Sequence, residues 1–529
     1  MANGEIPIVV GVTAHRRIRT EDIDLIREKV SDELRKLKEA CPDSRLVLLD
    51  SIAAGGDSLC ALEAVSLGYS LEVPLPFEEE EYMNDFTREE RKTYDFLRER
   101  AERVFELNSL DELDNRDRGY YSAGEYIVKH SHVLIALWDG VPGVKGGCGT
   151  AEMIDLVHRG LDDGAITSTP YLSVIHISAI REGKEGESGV VSLMEAEGQD
   201  LAKLLKLTNE FNRDIRNVGG GYPILSEEEL AESDPMVVKF HDIYVRADAL
   251  SMRFRDRYLS TMKMSSVLGV GIVLSLLFYN QIGLRTMLIL YALLPLVSKY
   301  VVDKRKKEAY LKKYVDYRVL AEGARIQIML LLSGLDRSVG YLYPWVVRDE
   351  NEWIIKALMT GMDYVPDGML PKRYELVQKM IVDQYEYQKG ALSKEGTDVA
   401  KTKKASNIVS YITYLNYALV FAAEFIDSSF TKTVLFTLGA YSVTVKNMFK
   451  ITLGILSASA ALMNNYYGKL SLSRKVDDHK KYINLYSEVL KRMEPDNNEL
   501  IIEAAREELR ENSAWRSYVK NNSPKVIIK

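Results

Sequence analysis

The fold turns on the stretch Val133-Leu134-Ile135-Ala136-Leu137-Trp138-Asp139-Gly140, followed by Gly146-Gly147-Cys148-Gly149-Thr150-Ala151-Glu152. The first part is a continuous apolar run, short enough for a strand buried on both faces of a parallel sheet. The second is a glycine-rich loop that opens into residues 151–159, where apolar residues recur at helical spacing. A strand, a glycine loop and a helix together aim backbone N–H groups at an anion. Glycine permits close approach, and the positive end of the helix dipole favours negative charge. The stretch therefore reads as a phosphate-binding turn rather than a sharp bend alone.

Working back toward the start, the pattern repeats. Residues 6–12 form an apolar, β-branched strand that runs into Gly11-Val12-Thr13-Ala14-His15-Arg16. Residues 22–40 are amphipathic, with Ile23, Ile26, Val30, Leu34 and Leu37 on one face. Residues 45–50 are a second strand, and Ala53-Ala54-Gly55-Gly56-Asp57 is a second glycine loop before a helix over 58–66. Strands at 71–75, 104–107 and 171–177 and helices at 87–103 and 119–130 continue the alternation. The fold class expected is α/β, a doubly wound parallel sheet with helices on both faces. Ligands in such sheets bind outside the carboxyl ends of the strands, and the Gly11, Gly55 and Gly146 loops all lie at such ends. No Gly-x-Gly-x-x-Gly and no Gly-Lys-Ser/Thr loop is present, which excludes the ordinary dinucleotide fingerprint and the P-loop. Asp57 is also placed to cap the helix that follows it.

Composition narrows the reading further. The 529 residues carry a formal net charge of −8, so no basic footprint marks a nucleic-acid partner. The three cysteines, Cys41, Cys60 and Cys148, are widely spaced and form neither a disulfide framework nor a zinc motif. His130 and His132 flank a buried strand without a third ligand, so no metal site is assigned. The first residues have neither a basic region nor an apolar core, and no cleavable signal peptide is expected.

Beyond residue 263 the charges stop. Residues 264–284 are an uncharged segment of about twenty residues, enough to cross a bilayer as a helix. Residues 286–302 follow as the return leg of a hairpin, with Pro295 inside. Residues 405–423 begin a second hairpin that closes over 451–468. The stretch 433–445 reads as a short or re-entrant helix, or as part of one long broken helix with Lys446 and Lys450 on a watery or protein-facing side. Basic flanks, Arg253 to Lys263, Lys304 to Lys313, Lys401 to Lys404 and Lys469 to Lys475, place both termini on the cytoplasmic side of an inner-membrane, multi-pass protein. Acidic Glu424 and Asp427 lie in the outer loop. Trp345 and Trp353 read as interfacial anchors or core. The domains expected are 1–250, ligand-binding; 251–303, first hairpin; 304–404, cytoplasmic helices; 405–468, second hairpin; and 469–529, an amphipathic helical tail that packs on a partner or on its own cytoplasmic domain.

The motifs carry a resemblance. The segments 11–16, 53–57 and 138–152, with Pro74-Leu75-Pro76-Phe77, Tyr82, Asp85-Phe86, Tyr120 and Gly124, resemble the SLOG superfamily, and more closely its bacterial branch coupled to transmembrane helices of the SLATT type. The stretch from Tyr317 to Arg325 resembles the signature that such proteins carry after their first hairpin. The resemblance implies a Rossmann-like pocket for a nucleotide second messenger, an ADP-ribose derivative or cyclic nucleotide, in a setting of bacterial antiviral defence. On that reading Gly11, Thr13, His15, Arg16, Gly55, Gly56, Asp57, Trp138, Asp139, Gly146, Gly147, Gly149, Thr150 and Glu152 bind the ligand. No residue is assigned to catalysis and no cofactor is expected. The hydrolase branch carries Pro-Gly-Gly-x-Gly-Thr-x-x-Glu, and its last Glu is Met153 here. Glu152 stands one residue earlier, about 100° away on a helix, and reads as a ribose contact. The function expected is a sensor whose membrane half, in contact with the lipid bilayer, gates or assembles a pore as a homo-oligomer. The alternative is a membrane-anchored nucleotide phosphoribohydrolase.

Overall fold

The computed structural model describes residues 4–143, 147–160, 172–196, 198–307, 309–344, 348–366, 368–425, 429–438, 441–470, 472–495 and 497–521. Gly146, Trp345 and Asp427 lie outside them. The chain forms two compact units: Met1–Leu250 with Asp316–Val377 and Pro495–Ser513, and Ser251–Val315 with Gln378–Glu494 and Ala514–Lys529.

The first unit opens with β1 (Ile8–Ala14), α1 (Ile23–Ala40), β2 (Leu46–Leu49), α2 (Gly56–Ser66), β3 (Ser70–Leu75), α3 (Arg88–Arg98) and β4 (Arg103–Glu106). It continues with α4 (Arg116–Lys129), β5 (Val133–Trp138), α5 (Thr150–Arg159), β6 (Ser173–Ser178), β7 (Val191–Met194) and α6 (Leu201–Ile215). One sheet of seven strands runs in the order β4-β3-β2-β1-β5-β6-β7. Its first six strands are parallel, and β7 pairs antiparallel to β6. The apolar runs at 8–12 and 133–137 are fully buried, as central parallel strands require. Helix α1 buries Ile26, Val30, Leu34 and Leu37, the stripe expected from the spacing. The expected helix over 87–103 stops at Arg98, and β7 and α6 have no counterpart in the sequence reading.

Further helices follow: α7 (Pro235–Ile282), α8 (Thr286–Lys307), α9 (Tyr310–Leu332), α10 (Arg348–Thr360) and α11 (Tyr374–Phe425). The start of α7, most of α9, α10 and part of the last helix belong to the first unit. Trp353 is core there, packed beside Phe211 and Tyr317.

In the second unit, among the described residues, α7, α8 and α11 each contain a stretch long and apolar enough to cross a membrane. Their apolar side chains point outward: Ile289, Leu296, Tyr411, Leu415 and Phe421 are all exposed. Surfaces of this extent are compatible with a membrane protein.

The described residues of 433–444 are not helical, and this corrects the sequence reading. They form an antiparallel ribbon, β8 (Val434–Leu438) and β9 (Tyr441–Thr444). The reason lies in residue type: Val434, Phe436, Thr437, Tyr441 and Val443 are β-branched or aromatic. Val443 packs with Ile282 and Ile451. Helix α12 (Val445–Leu470) then begins, followed by α13 (Leu472–Arg492) and α14 (Asn498–Asn521). Lys446 and Lys450 face protein, both paired with Glu424 at the end of α11.

Candidate ligand-binding site

The strand order reverses between β1 and β5. From β1 the chain builds outward through β2, β3 and β4; from β5 it builds the other way. The crevice at such a switch point, outside the strands' carboxyl ends, is where open parallel sheets hold ligands. A cavity of about 640 Å³ lies there.

From β1 come Thr13, His15, Arg16 and Arg17; from the β2–α2 connection Ser51 and Asp57; from α4 Asp117 and Tyr120; from α5 Gly149, Thr150 and Met153; and after β6 Arg181. Three arginines therefore border one cavity. Helix α5 begins there after Gly149 without a side-chain cap. An uncapped helix start leaves backbone N–H groups unsatisfied and carries the positive end of the dipole. Helix α2 also lacks a side-chain cap, but its Gly56 and Ser58 N–H groups are taken by the His15 and Ala53 oxygens.

The glycines do different work. Gly55 has φ +97°, and a Cβ there would lie 2.0 Å from the Arg16 carbonyl oxygen. The Gly56 N–H donates to the His15 oxygen at 3.0 Å. These two residues let the β2–α2 loop cross the end of β1; they shape the cavity without lining it. Gly11 sits inside β1, where a Cβ would meet the Ser131 hydroxyl at 2.4 Å, so its smallness serves packing. Gly149 is the opposite case. Its φ of −95° is an ordinary extended value, and a Cβ would meet no protein atom. Nothing in the fold demands glycine there. Gly147 is not among the lining residues.

Asp139 lies behind the wall. Its carboxylate receives Arg181 Nε at 2.7 Å and sits 3.1 Å from His15 Nε2, to which its own N–H donates at 3.2 Å. It thus orients two residues that do line the cavity. Burial pushes the Asp139 carboxyl up, but the Val141 N–H, His15 and Arg181 outweigh it and hold it low. Burial lowers the His15 pKa below its ordinary value against the pull of Asp139. Trp138 donates Nε1–H to the Val141 oxygen and packs against His176. Arg16 reaches Asp85 at 3.4 Å, and Asp85 also receives Arg116 and the Tyr120 hydroxyl.

Asp57 is not a cap; the residue before α2 is Gly55. Its carboxyl is pushed well above the usual range by burial and by Asp50, with Arg16 opposing. Glu152 does not line the cavity. It is buried and paired with Arg159 at 3.0 Å. Met153 lines it instead, its sulfur so close to Gly124 that a Cβ there would come within 2.2 Å. The position that carries a carboxylate in the hydrolase pattern therefore presents a thioether.

Arg17, Arg181 and Asp117 went unread in the sequence. Arg181 had a usable signal, a cation just beyond the carboxyl end of a strand. Asp117 had none, because only the docking of α4 turns it inward. Among the described residues no group of three or more His, Cys, Asp or Glu side chains is placed to hold a metal ion. No protein-family model matches the chain, and no curated protein matches it.

Proposed function

We propose that the first unit is a Rossmann-like sensor for a nucleotide-derived anion, an ADP-ribose derivative or a cyclic nucleotide, and that the membrane helices answer its binding by gating or assembling a pore. The observation that carries this reading is the convergence of Arg16, Arg17, Arg181 and the uncapped start of α5 on one cavity. Charge-assisted bonds from guanidinium groups and helix N-termini suit phosphate, and the volume suits a ligand of nucleotide size. Tyr120 offers a ring for a base. The resemblance to SLOG and SLATT proteins supplies the setting, bacterial antiviral defence at the inner membrane, and a pore requires several copies. The ligand acts only if it binds the open arrangement better than the closed one.

The test is calorimetry on the full chain in lipid nanodiscs, against ADP-ribose derivatives and cyclic nucleotides, with release of free base followed in parallel. Gly149→Val should abolish binding with an unchanged melting midpoint, because its side chain meets only the cavity. Arg181→Gln should weaken binding by roughly 10- to 100-fold, the worth of one charge-assisted bond. Liposomes carrying the wild type should leak ions only with ligand present. Unchanged affinity in both variants removes this cavity from the reading. Multiple-turnover release of free base would favour the phosphoribohydrolase.

A further inference from the structure

The two edges of the seven-stranded sheet are treated differently. At β4 the edge is guarded. Arg103 pairs with Asp363 at 3.1 Å, the Tyr364 ring stacks on Phe105, and the Tyr364 hydroxyl donates to the Leu107 oxygen at 2.8 Å. At β7 none of the described residues makes such a cover. Val191 is 38% exposed and Leu193 is 52% exposed, and Leu25, against Gly189, is 40% exposed. From Ser188 to Met194 the chain reads Ser-Gly-Val-Val-Ser-Leu-Met, with no charge and no proline. Natural edge strands are blunted by charge, proline, a covering segment, a bulge or shortness. Strand β7 has four residues and follows a bulge in which Gly189 and Val190 both face Ser178, yet its outer edge carries no charge and no proline and so offers a surface for strand addition.

The register shows which strand would fit. Ser178 N–H donates to the Val190 oxygen at 2.9 Å and the Ser178 oxygen accepts the Gly189 N–H at 2.8 Å, a bulge after which the ladder of β6 and β7 starts from a hydrogen-bonded position at Val190. In an antiparallel ladder such positions alternate with non-bonded ones. Val191 opposite Ile177 and Leu193 opposite Ile175 are therefore the non-bonded positions, with their N–H and C=O groups directed away from β6.

We propose that β7 is a self-association edge, to which a second copy of this chain adds its own β7 antiparallel about a two-fold axis at Ser192. Under that axis Val191 of one copy faces Leu193 of the other, and the reverse. Each residue with outward backbone groups then meets one with the same need, and their apolar side chains extend across the axis on one face. The antiparallel register also carries Glu195 opposite the other copy's Gly189, away from its acidic counterpart. This fit is a property of the stretch with itself, as an isologous contact requires. It stands independently of the ligand reading.

The experiment uses the full chain in nanodiscs and in detergent. A two-fold axis at Ser192 brings the paired Cα atoms to about 4.5 Å, a non-hydrogen-bonded pair, within reach of a disulfide. Ser192→Cys should give a covalent dimer under mild oxidation, well above the wild-type level set by the native cysteines. Val191→Lys with Leu193→Lys should abolish that link when added to Ser192→Cys, and should halve the mass of the edge-paired species in detergent. Both changes fall on exposed positions, and an unchanged melting midpoint verifies folding. No link above wild type, a link to a chain of another mass, or an assembly that survives the lysine pair without the Ser192 link would each overturn the proposal.

Discussion

Ile52 shows how the site is shaped by individual residues. It is a fully buried, β-branched residue at φ +47°, a conformation that costs about 1–2 kcal/mol for an L-residue. It persists because its side chain is packed and its N–H donates to Asp50 Oδ1 at 2.7 Å. The turn it makes delivers Gly55 and Gly56 to the end of β1. Asp50 itself is fully buried, and burial pushes its carboxyl up from 3.8 to about 7. The folded protein then holds this proton more tightly than the unfolded chain, so this contribution to stability falls as pH rises from about 4 to about 7. Asp57 is shifted in the same direction. Asp50→Asn keeps a carbonyl acceptor for Ile52 and cannot ionise. Its melting midpoint should gain on that of the wild type as pH is raised from 5 to 7.5. Parallel curves from scanning fluorimetry would mean that Asp50 carries no raised pKa.

Among the elements, α9 acquires a physical role that its sequence did not reveal. Arg318 binds Asp248 of α7 at 2.8 Å and pairs with Glu322. Arg325 binds Glu322 at 2.8 Å and Glu508 of α14 at 2.7 Å. Arg325 and Glu508 are both buried. Burial pushes the Glu322 carboxyl up, but Arg318 and Arg325 overcome it and hold the pKa at about 2. The stretch from Tyr317 to Arg325 is thus a charged clamp within the first unit, tying α9 to α7 and α14. Removing one member of a buried pair strands the other charge, at a cost of about 3–5 kcal/mol. Arg325→Gln should therefore lower the melting midpoint markedly, and adding Glu508→Gln should restore much of the loss. Additive losses in this double-mutant cycle would show that the two side chains are not coupled.

For the molecule as a whole, the proposed topology with both termini on the cytoplasmic side makes a direct prediction. Thr286, just after the tight turn between α7 and α8, should lie outside, and Lys403 inside. A membrane-impermeant maleimide should label Thr286→Cys in intact cells and reach Lys403→Cys only after permeabilisation. Labelling of Lys403→Cys in intact cells would reverse the orientation of α11.

The sequence by itself determined what depends on local periodicity and residue type. Buried apolar runs set β1 and β5, an apolar stripe set α1, and uncharged segments marked α7, α8 and α11 as candidate spans. Thr13, His15, Arg16, Asp57, Gly149 and Thr150 were likewise legible, because each stands at a strand's carboxyl end or a helix start, and all six line the cavity. Only the tertiary structure decided the rest. Strand order alone makes β1 and β5 neighbours and so creates the switch point. Contacts distant in sequence bring Arg181 beside His15 through Asp139, turn Met153 inward where Glu152 was expected, and bury the charges of α9. The order of the sheet placed β7 at its edge. Such outcomes are set by which surfaces meet, and no window of neighbouring residues contains that information.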